Sequence, residues 1–189
     1  MDRSGHIREA ALELFTRKGF ESTTMGDIGA AVGIRGPSLY KHVAAKQDLL
    51  VAIMVTTMED LLTAHRAAVG GVADPVERLR RATEAHVRYH ARHRLEAFVG
   101  TREIRSLAEP HLTRVLALRA EYEACFRAVV QSGVDAGVFQ VDSVRLASYA
   151  VLDLGMGVAV WYRADGEQSE DALVWQYSRF ALRLVGVTG

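Results

Sequence analysis

Cysteine is nearly absent. Cys125 is the single one in 189 residues, so no internal disulfide can form and the chain suits a reducing compartment such as the cytoplasm. No apolar run reads as a membrane span: the best candidate, Ala147 to Trp161, is short and carries Asp153 and two glycines. The first twenty residues are charged throughout and predict no signal peptide. Net charge is zero, which excludes reliance on a large non-specific field, though not a local basic site. Enzyme signatures are missing too. There is no GxSxG, P-loop, dinucleotide fingerprint or HExxH, and no cysteine–histidine pair in a recognisable context. No strand pattern and no internal repeat emerge. Lysine is scarce and lopsided: Lys18, Lys41 and Lys46 are the only ones, and none follows position 46. Compact cations at one end are what a DNA-binding end requires.

What is present centres on Thr24 to Lys46, TMGDIGAAVGIRGPSLYKHVAAK. Thr24 is the side-chain cap of a short helix from Met25 to Val32. Gly33 supplies the left-handed turn, and Gly36 to His42 is a second helix with Pro37 in its first turn. Gly29 and Gly33, four apart, let the second helix cross close over the first. Ile28, Val32, Ile34 and Leu39 fall inside the corner. Arg35, Ser38, Tyr40, Lys41 and His42 fall outside it and can donate to phosphates or base edges. This is the residue logic of a helix-turn-helix, against which stands a plain helical hairpin with a solvated face.

The run GIRGPSLYKHVAAKQDLL, preceded by TTMGDIGAAV and by a helix ending ALELFTRKGFEST, resembles the TetR family of bacterial one-component regulators over about the first fifty residues. Gly29, Val43 and the Ala44–Ala45 pair depart from the family's usual alanine, aromatic and capping residue. The resemblance implies a three-helix DNA-binding head and a helical body that dimerises and holds a ligand. It further implies that Ser38, Tyr40, Lys41 and His42 face DNA, that Thr24 and Lys46 clamp phosphates from helix N-termini, and that Arg35 and Pro37 make base-side contacts.

The rest of the chain reads as helices. His6 to Lys18 is amphipathic through Ile7, Ala10, Ala11, Leu14 and Phe15, with Met1 to Gly5 as an arm. Arg3 and Arg8 either approach phosphates or are solvated. Lys46 to about Val69 is one helix of roughly 36 Å. Asp74-Pro75-Val76-Glu77 opens another with a capping box. It carries His86 and His90 at ligand-like spacing, but no carboxylate or cysteine is placed to complete a metal site. Leu95 to Leu107, Pro110 to about Ala136, a helix capped by Asp142 to about Tyr162, and one capped by Ser169 to about Val185 complete an all-α chain of about nine helices. Residues 1–46 form the expected DNA-binding domain and 47–189 the ligand-binding and dimerisation domain.

Two sites are expected in the body. Small residues at spacings of seven and four, Ser148, Gly155 and Ala159, invite a second helix. With Val174, Ser178, Ala181 and Val185 of the last helix they would form a four-helix dimer interface, the alternative being packing within one chain. Tyr89, Phe98, Tyr122, Phe126, Met156 and Trp161, with Arg102, Arg105 and Arg119, would line a ligand cavity, the arginines suiting a carboxylate or phosphate. Asp153 is read as a polar contact at an interface or pocket wall. The C-terminal run GVFQVDSVRLASYAVLDLGMGVAVWYRADG resembles TetR-like actinobacterial regulators of fatty-acid or sterol catabolism that sense coenzyme A thioesters, which implies an acyl-coenzyme A or a related lipid-derived anion as effector. The expected function is a homodimeric repressor of a palindromic operator on double-stranded DNA, released by a small molecule and needing no cofactor. The alternatives are a multidrug-type repressor sensing a neutral hydrophobic compound, and a helical enzyme or scaffold without DNA binding.

Overall fold

The computed structural model describes residues 3–34 and 36–187, with the backbone alone for Gly36 and Pro37. Among the described residues the chain is all-α. It runs α1 (Arg3–Lys18), α2 (Met25–Ala31), α3 (Gly36–Leu39), α4 (Lys46–Val69), α5 (Pro75–Arg92), α6 (Arg94–Arg102), a 3₁₀ turn (Ile104–Ser106), α7 (His111–Asp135), α8 (Val144–Trp161) and α9 (Glu170–Leu184). Packing divides it into two compact units, Met1–Met58 with Leu95–Leu118, and Glu59–Arg94 with Arg119–Gly189.

The first unit is built on the apolar stripe of α1. Ile7, Ala11, Leu14 and Phe15 are buried with Ile28, Leu39, Leu50, Ile53 and Met54, and the same core takes in Val99, Leu107 and Val115. α1 starts at Arg3, inside the segment expected as an arm. Arg8 turns to α4, its Nη1 donating to Thr56 Oγ1 at 3.4 Å. Gly19, at φ 84°, ends α1, and the Phe20 ring folds back edge-on against Phe15 at 5.2 Å. Thr24 caps α2 as expected and forms a full capping box with Asp27. Gly33 has φ 67°. At Gly29 an added Cβ would lie 2.8 Å from the Ile34 carbonyl oxygen, so the helix corner closes over a residue that must be small.

In the second unit α5 packs along α8 and α9, around Val87, Ala91, Val158, Tyr162, Leu173 and Val174. Charge reinforces the seam: Arg88 and Arg92 both bind Glu170 at the start of α9, and Arg88 Nη1 also reaches Asp171 at 2.9 Å. Asp74 caps α5, but the expected return bond from Glu77 gives way to pairs with Arg80 and Arg81 at 2.6 Å. Ser143 caps α8, correcting the expectation of Asp142; Ser169 caps α9 as expected. α8 is longer than the run first considered. Its 18 residues, at a mean hydropathy of 1.3, are long and apolar enough to cross a membrane. Here Ala147, Val151, Leu152, Gly155 and Val158 bury one side of it within the unit.

Candidate nucleic-acid interface and effector site

α3 is shorter than expected. It stops at Leu39, which is fully buried and anchors the corner. Tyr40, Lys41 and His42 therefore lie in the turn that follows, where the His42 and Val43 N–H groups donate to the Leu39 carbonyl at 2.9 and 3.1 Å. Ser38, Tyr40, Lys41 and His42 are all exposed, and Tyr40 presents 56% of its surface. Pro37 sits at the second position of α3, its side chain outside the described residues, as is Arg35 altogether. A short polar, cationic run is thus displayed beside a buried anchor, which suits contact with phosphates and base edges.

The two expected phosphate clamps are already engaged. The Thr24 hydroxyl accepts from Asp27 N at 3.0 Å and donates to Asp27 Oδ2 at 2.9 Å. The Thr24 N–H and the Lys18 ammonium hold the Asp27 carboxyl down at about 2, the backbone bond being the larger influence. Lys46 Nζ donates to the Phe20 carbonyl at 2.6 Å and the Glu21 carbonyl at 3.3 Å, and lies 4.1 Å from the Phe20 ring centroid. It ties the start of α4 to the end of α1, so a phosphate would have to compete with these bonds.

The nine expected ligand residues divide between the units. Phe98, Arg102 and Arg105 belong to the first, where Arg102 and Arg105 are exposed and the Arg102 guanidinium lies over the Phe98 ring at 5.5 Å. The other six belong to the second. Arg119 is half-buried, and burial lowers its pKa. Tyr89 stacks on His93 at 4.3 Å. Met156 and Trp161 are exposed on α8.

Tyr122 and Phe126 enter a buried ring cluster and there meet histidines, while the half-buried Tyr89 touches its edge, 5.9 Å from the His90 ring. His65 of α4 lies 5.0 Å from Phe126 and 6.1 Å from Tyr122. His86 of α5 lies 5.5 Å from Phe126 and 4.5 Å from His90. His86 Nε2 faces the Leu152 carbonyl at 2.9 Å. A carbonyl only accepts, so that nitrogen carries the proton. In the neutral ring Nδ1 is then the acceptor, and Tyr122 Oη, 2.9 Å away, donates to it. Burial pushes His65 and His86 down to about 4 and His90 to about 2, and pushes the Tyr122 hydroxyl up. Near neutral pH the cluster is uncharged.

The stripe expected at a dimer interface lies inside the chain's own second unit. Ser148, Gly155, Ala159, Val174, Ser178, Ala181 and Val185 are all buried within the second unit. Gly155 is small because His86 occupies the space: an added Cβ would be 2.1 Å from His86 Cδ2. The alternative weighed at the sequence, packing within one chain, is what the structure shows for these seven. The exposed apolar side chains are others: Leu146, Met156, Val160 and Trp161 on one side of α8, and Trp175, Phe180 and Leu184 on α9, where Trp175 and Leu184 flank opposite edges of the exposed arc. Asp153 lies on the exposed side.

Residues 7–53 match the bacterial regulatory proteins of the tetR family, and residues 72–185 match the tetracyclin repressor-like C-terminal domain. The chain belongs to the TetR family. It is a helix-turn-helix, DNA-binding transcriptional regulator. Among TetR structures it is similar to a regulatory protein from Rhodococcus RHA1, at 29% identity and a TM-score of 0.92 over 100% of both chains. It is also similar to PfmR from Thermus thermophilus, at 35% identity and 0.85, covering 96% of this chain and 98% of that one. Along the sequence it is 27% identical to the transcriptional repressor KstR2 of Mycobacterium tuberculosis, over 98% of this chain and 93% of the relative. In this TetR body the sequence reading passed over His65, which joins the buried ring cluster. The signal for His65 was its position four after Leu61 in the stripe of α4.

Proposed function

We infer that the protein is a homodimeric repressor that binds a palindromic operator in the cytoplasm and leaves it when a small molecule enters the body. The observation that carries this reading is the similarity to the KstR2 repressor along nearly the whole chain, head and body together. The exposed Ser38, Tyr40, Lys41 and His42 supply the DNA-facing groups. The exposed faces of α8 and α9 supply the dimer contact. They carry exposed apolar side chains, Met156 and Val160 on α8 and Trp175 on α9, the two helices pack together in one unit, and a second copy of the same pair would complete a four-helix interface.

For the effector, two observations favour different classes. Exposed Arg102 and Arg105 favour an anionic group such as that of an acyl-coenzyme A thioester, the class implied by the C-terminal resemblance. The neutral ring cluster favours an uncharged hydrophobic compound. Release requires the effector to bind the DNA-free state better than the DNA-bound one, since equal affinity shifts nothing.

Two measurements test the reading. Selection from random DNA should return an imperfect palindrome whose affinity falls as salt rises. No preferred sequence at moderate salt overturns it. Titration of the complex with acyl-coenzyme A thioesters, matching free acids and neutral hydrophobes then assigns the effector class. Release by thioesters that is lost in Arg102→Ala or Arg105→Ala favours the anion, and release by neutral compounds alone rules it out.

A further inference from the structure

Charge on the bare faces of α8 and α9 is sparse and of opposite sign. From Leu146 to Trp161 the only charged residue is Asp153, and from Ala172 to Leu184 the only ones are Arg179 and Arg183. Asp153 sits near the middle of the exposed arc of α8. At about 100° per residue it projects within about 20° of both Leu146 and Val160, which with Met156 and Trp161 are exposed apolar side chains. On α9 Arg179 and Arg183 are one turn apart and share a face. Arg183 is exposed, and Arg179 is half-buried, its guanidinium 4.8 Å from the Trp175 ring centroid. The nearby acids Glu170 and Asp171 are already taken by Arg88 and Arg92. Among the described residues neither arginine has a carboxylate partner, and Asp153 makes no hydrogen bond or ion pair.

Gly157 adds an independent observation. It lies one turn after Asp153, on the same exposed arc of α8. A glycine inside a helix costs about 1 kcal/mol relative to alanine. Gly155 has its reason in the His86 ring, but a Cβ added at Gly157 would meet nothing within 4 Å. Nothing within one copy asks for a small residue there, whereas a helix arriving from outside does.

Whatever covers this face has to meet its charge. A carboxylate ringed by apolar side chains is costly to bury unless a cation reaches it. A purely apolar cover is therefore disfavoured, and one with an arginine in apolar surroundings is favoured. A second copy of the chain supplies that chemistry through α9. Two-fold symmetry repeats each contact, so a single acid–arginine match occurs twice.

We propose that in the homodimer Asp153 of each copy pairs with the partner's α9, through the partner's Arg179 or the partner's Arg183, and that Gly157 admits the arriving helix beside that pair. The proposal rests on the assembly reading above and deepens it by naming the contact that aligns the two copies. Apolar side chains tolerate sliding, whereas a lone acid opposite guanidinium groups fixes the register.

The test is sedimentation of the full-length protein and its variants. Asp153→Arg should raise the dimer dissociation constant by about a hundredfold, because it sets like charges against each other. Adding Arg179→Asp or Arg183→Asp to that variant should bring it back to within about tenfold of the unmutated protein for one of the two, since the reversed pair is a pair again. Misfolding cannot produce such a rescue. Asp153→Asn should weaken the dimer by about tenfold, the charge on the arginine being left without its partner. Gly157→Leu should weaken it too. Asp153→Arg without effect, a tighter dimer in Asp153→Asn, or rescue by neither added substitution overturns the pair while leaving the dimer. A monomeric unmutated protein, or a dimer indifferent to Val160→Glu, overturns the assembly reading and the pair with it, so the two failures are distinguishable.

Discussion

Gly155 shows how one residue can be misread at its own scale. Glycine in a helix lowers propensity by about 1 kcal/mol relative to alanine, so its presence asks for a reason. Here the reason is the His86 ring, which occupies the space a Cβ would fill. Gly155→Ala must displace that ring and with it the bonds to Leu152 and Tyr122. Despite better helix propensity the variant should lose about 1–3 kcal/mol, the usual range for overpacking, as a lower urea midpoint. A midpoint equal to the unmutated protein's would show that His86 moves freely. Gly155→Leu, natural as a probe of dimerisation when Gly155 is placed at an interface, would instead disrupt the protomer.

At the scale of elements, the head depends on how α2 is started and held. Seven residues of helix are marginal alone, and α2 (Met25–Ala31) persists through its capping box and the burial of Ile28 and Gly29. Thr24→Ala should cost about 1 kcal/mol in the stability of the first unit, whereas Thr24→Ser, which keeps the oxygen, should lose much less. Hydrogen exchange at the α2 amides reads this directly. Equal exchange in both variants would mean that packing alone holds the helix. The Lys46 tether acts at the same scale, because it joins the end of α1 to the start of α4 by bonds to carbonyls that no helix satisfies.

Two expectations belong to the whole molecule. His65, His86 and His90 have pKa values lowered on folding, chiefly by burial. The unfolded chain takes up protons at these positions below about pH 6.5, while the folded chain refuses them until about 4 or lower. Their contribution is therefore complete above the unfolded value and is lost as pH falls below it, by at most about tenfold in the folding equilibrium per group per pH unit. Melting temperature should drop between pH 6.5 and 5, and less steeply in His90→Leu. An unchanged slope in that variant would remove His90 from the acid response. The second expectation concerns assembly. Val160, 79% exposed in the protomer, is at the bare face of α8. On the proposed dimer, Val160→Glu should give a monomer in sedimentation and weaken operator binding by more than tenfold, because a single head holds one half-site. A dimer that survives this change and Trp175→Glu would place the interface elsewhere.

By itself the sequence determined the class, the order of helices and the corner of the head. These are local properties: apolar residues recurring at three and four, Thr24 and Ser169 as caps, Gly19 and Gly33 at positive φ. It did not determine which side of an apolar helix meets its own chain. α8 is apolar or small nearly all round, so composition could not tell the face holding Ser148, Gly155 and Ala159 from the one holding Leu146 and Val160. That choice was made by α5, whose His86 fits only against a glycine. Tertiary structure likewise decided that Lys46 is spent within the unit and that α3 stops at Leu39. It brought His65, which lies on α4, into one buried cluster with the histidines of α5. Contacts between residues distant in sequence depend on how helices pack, and helical periodicity carries no record of the partner.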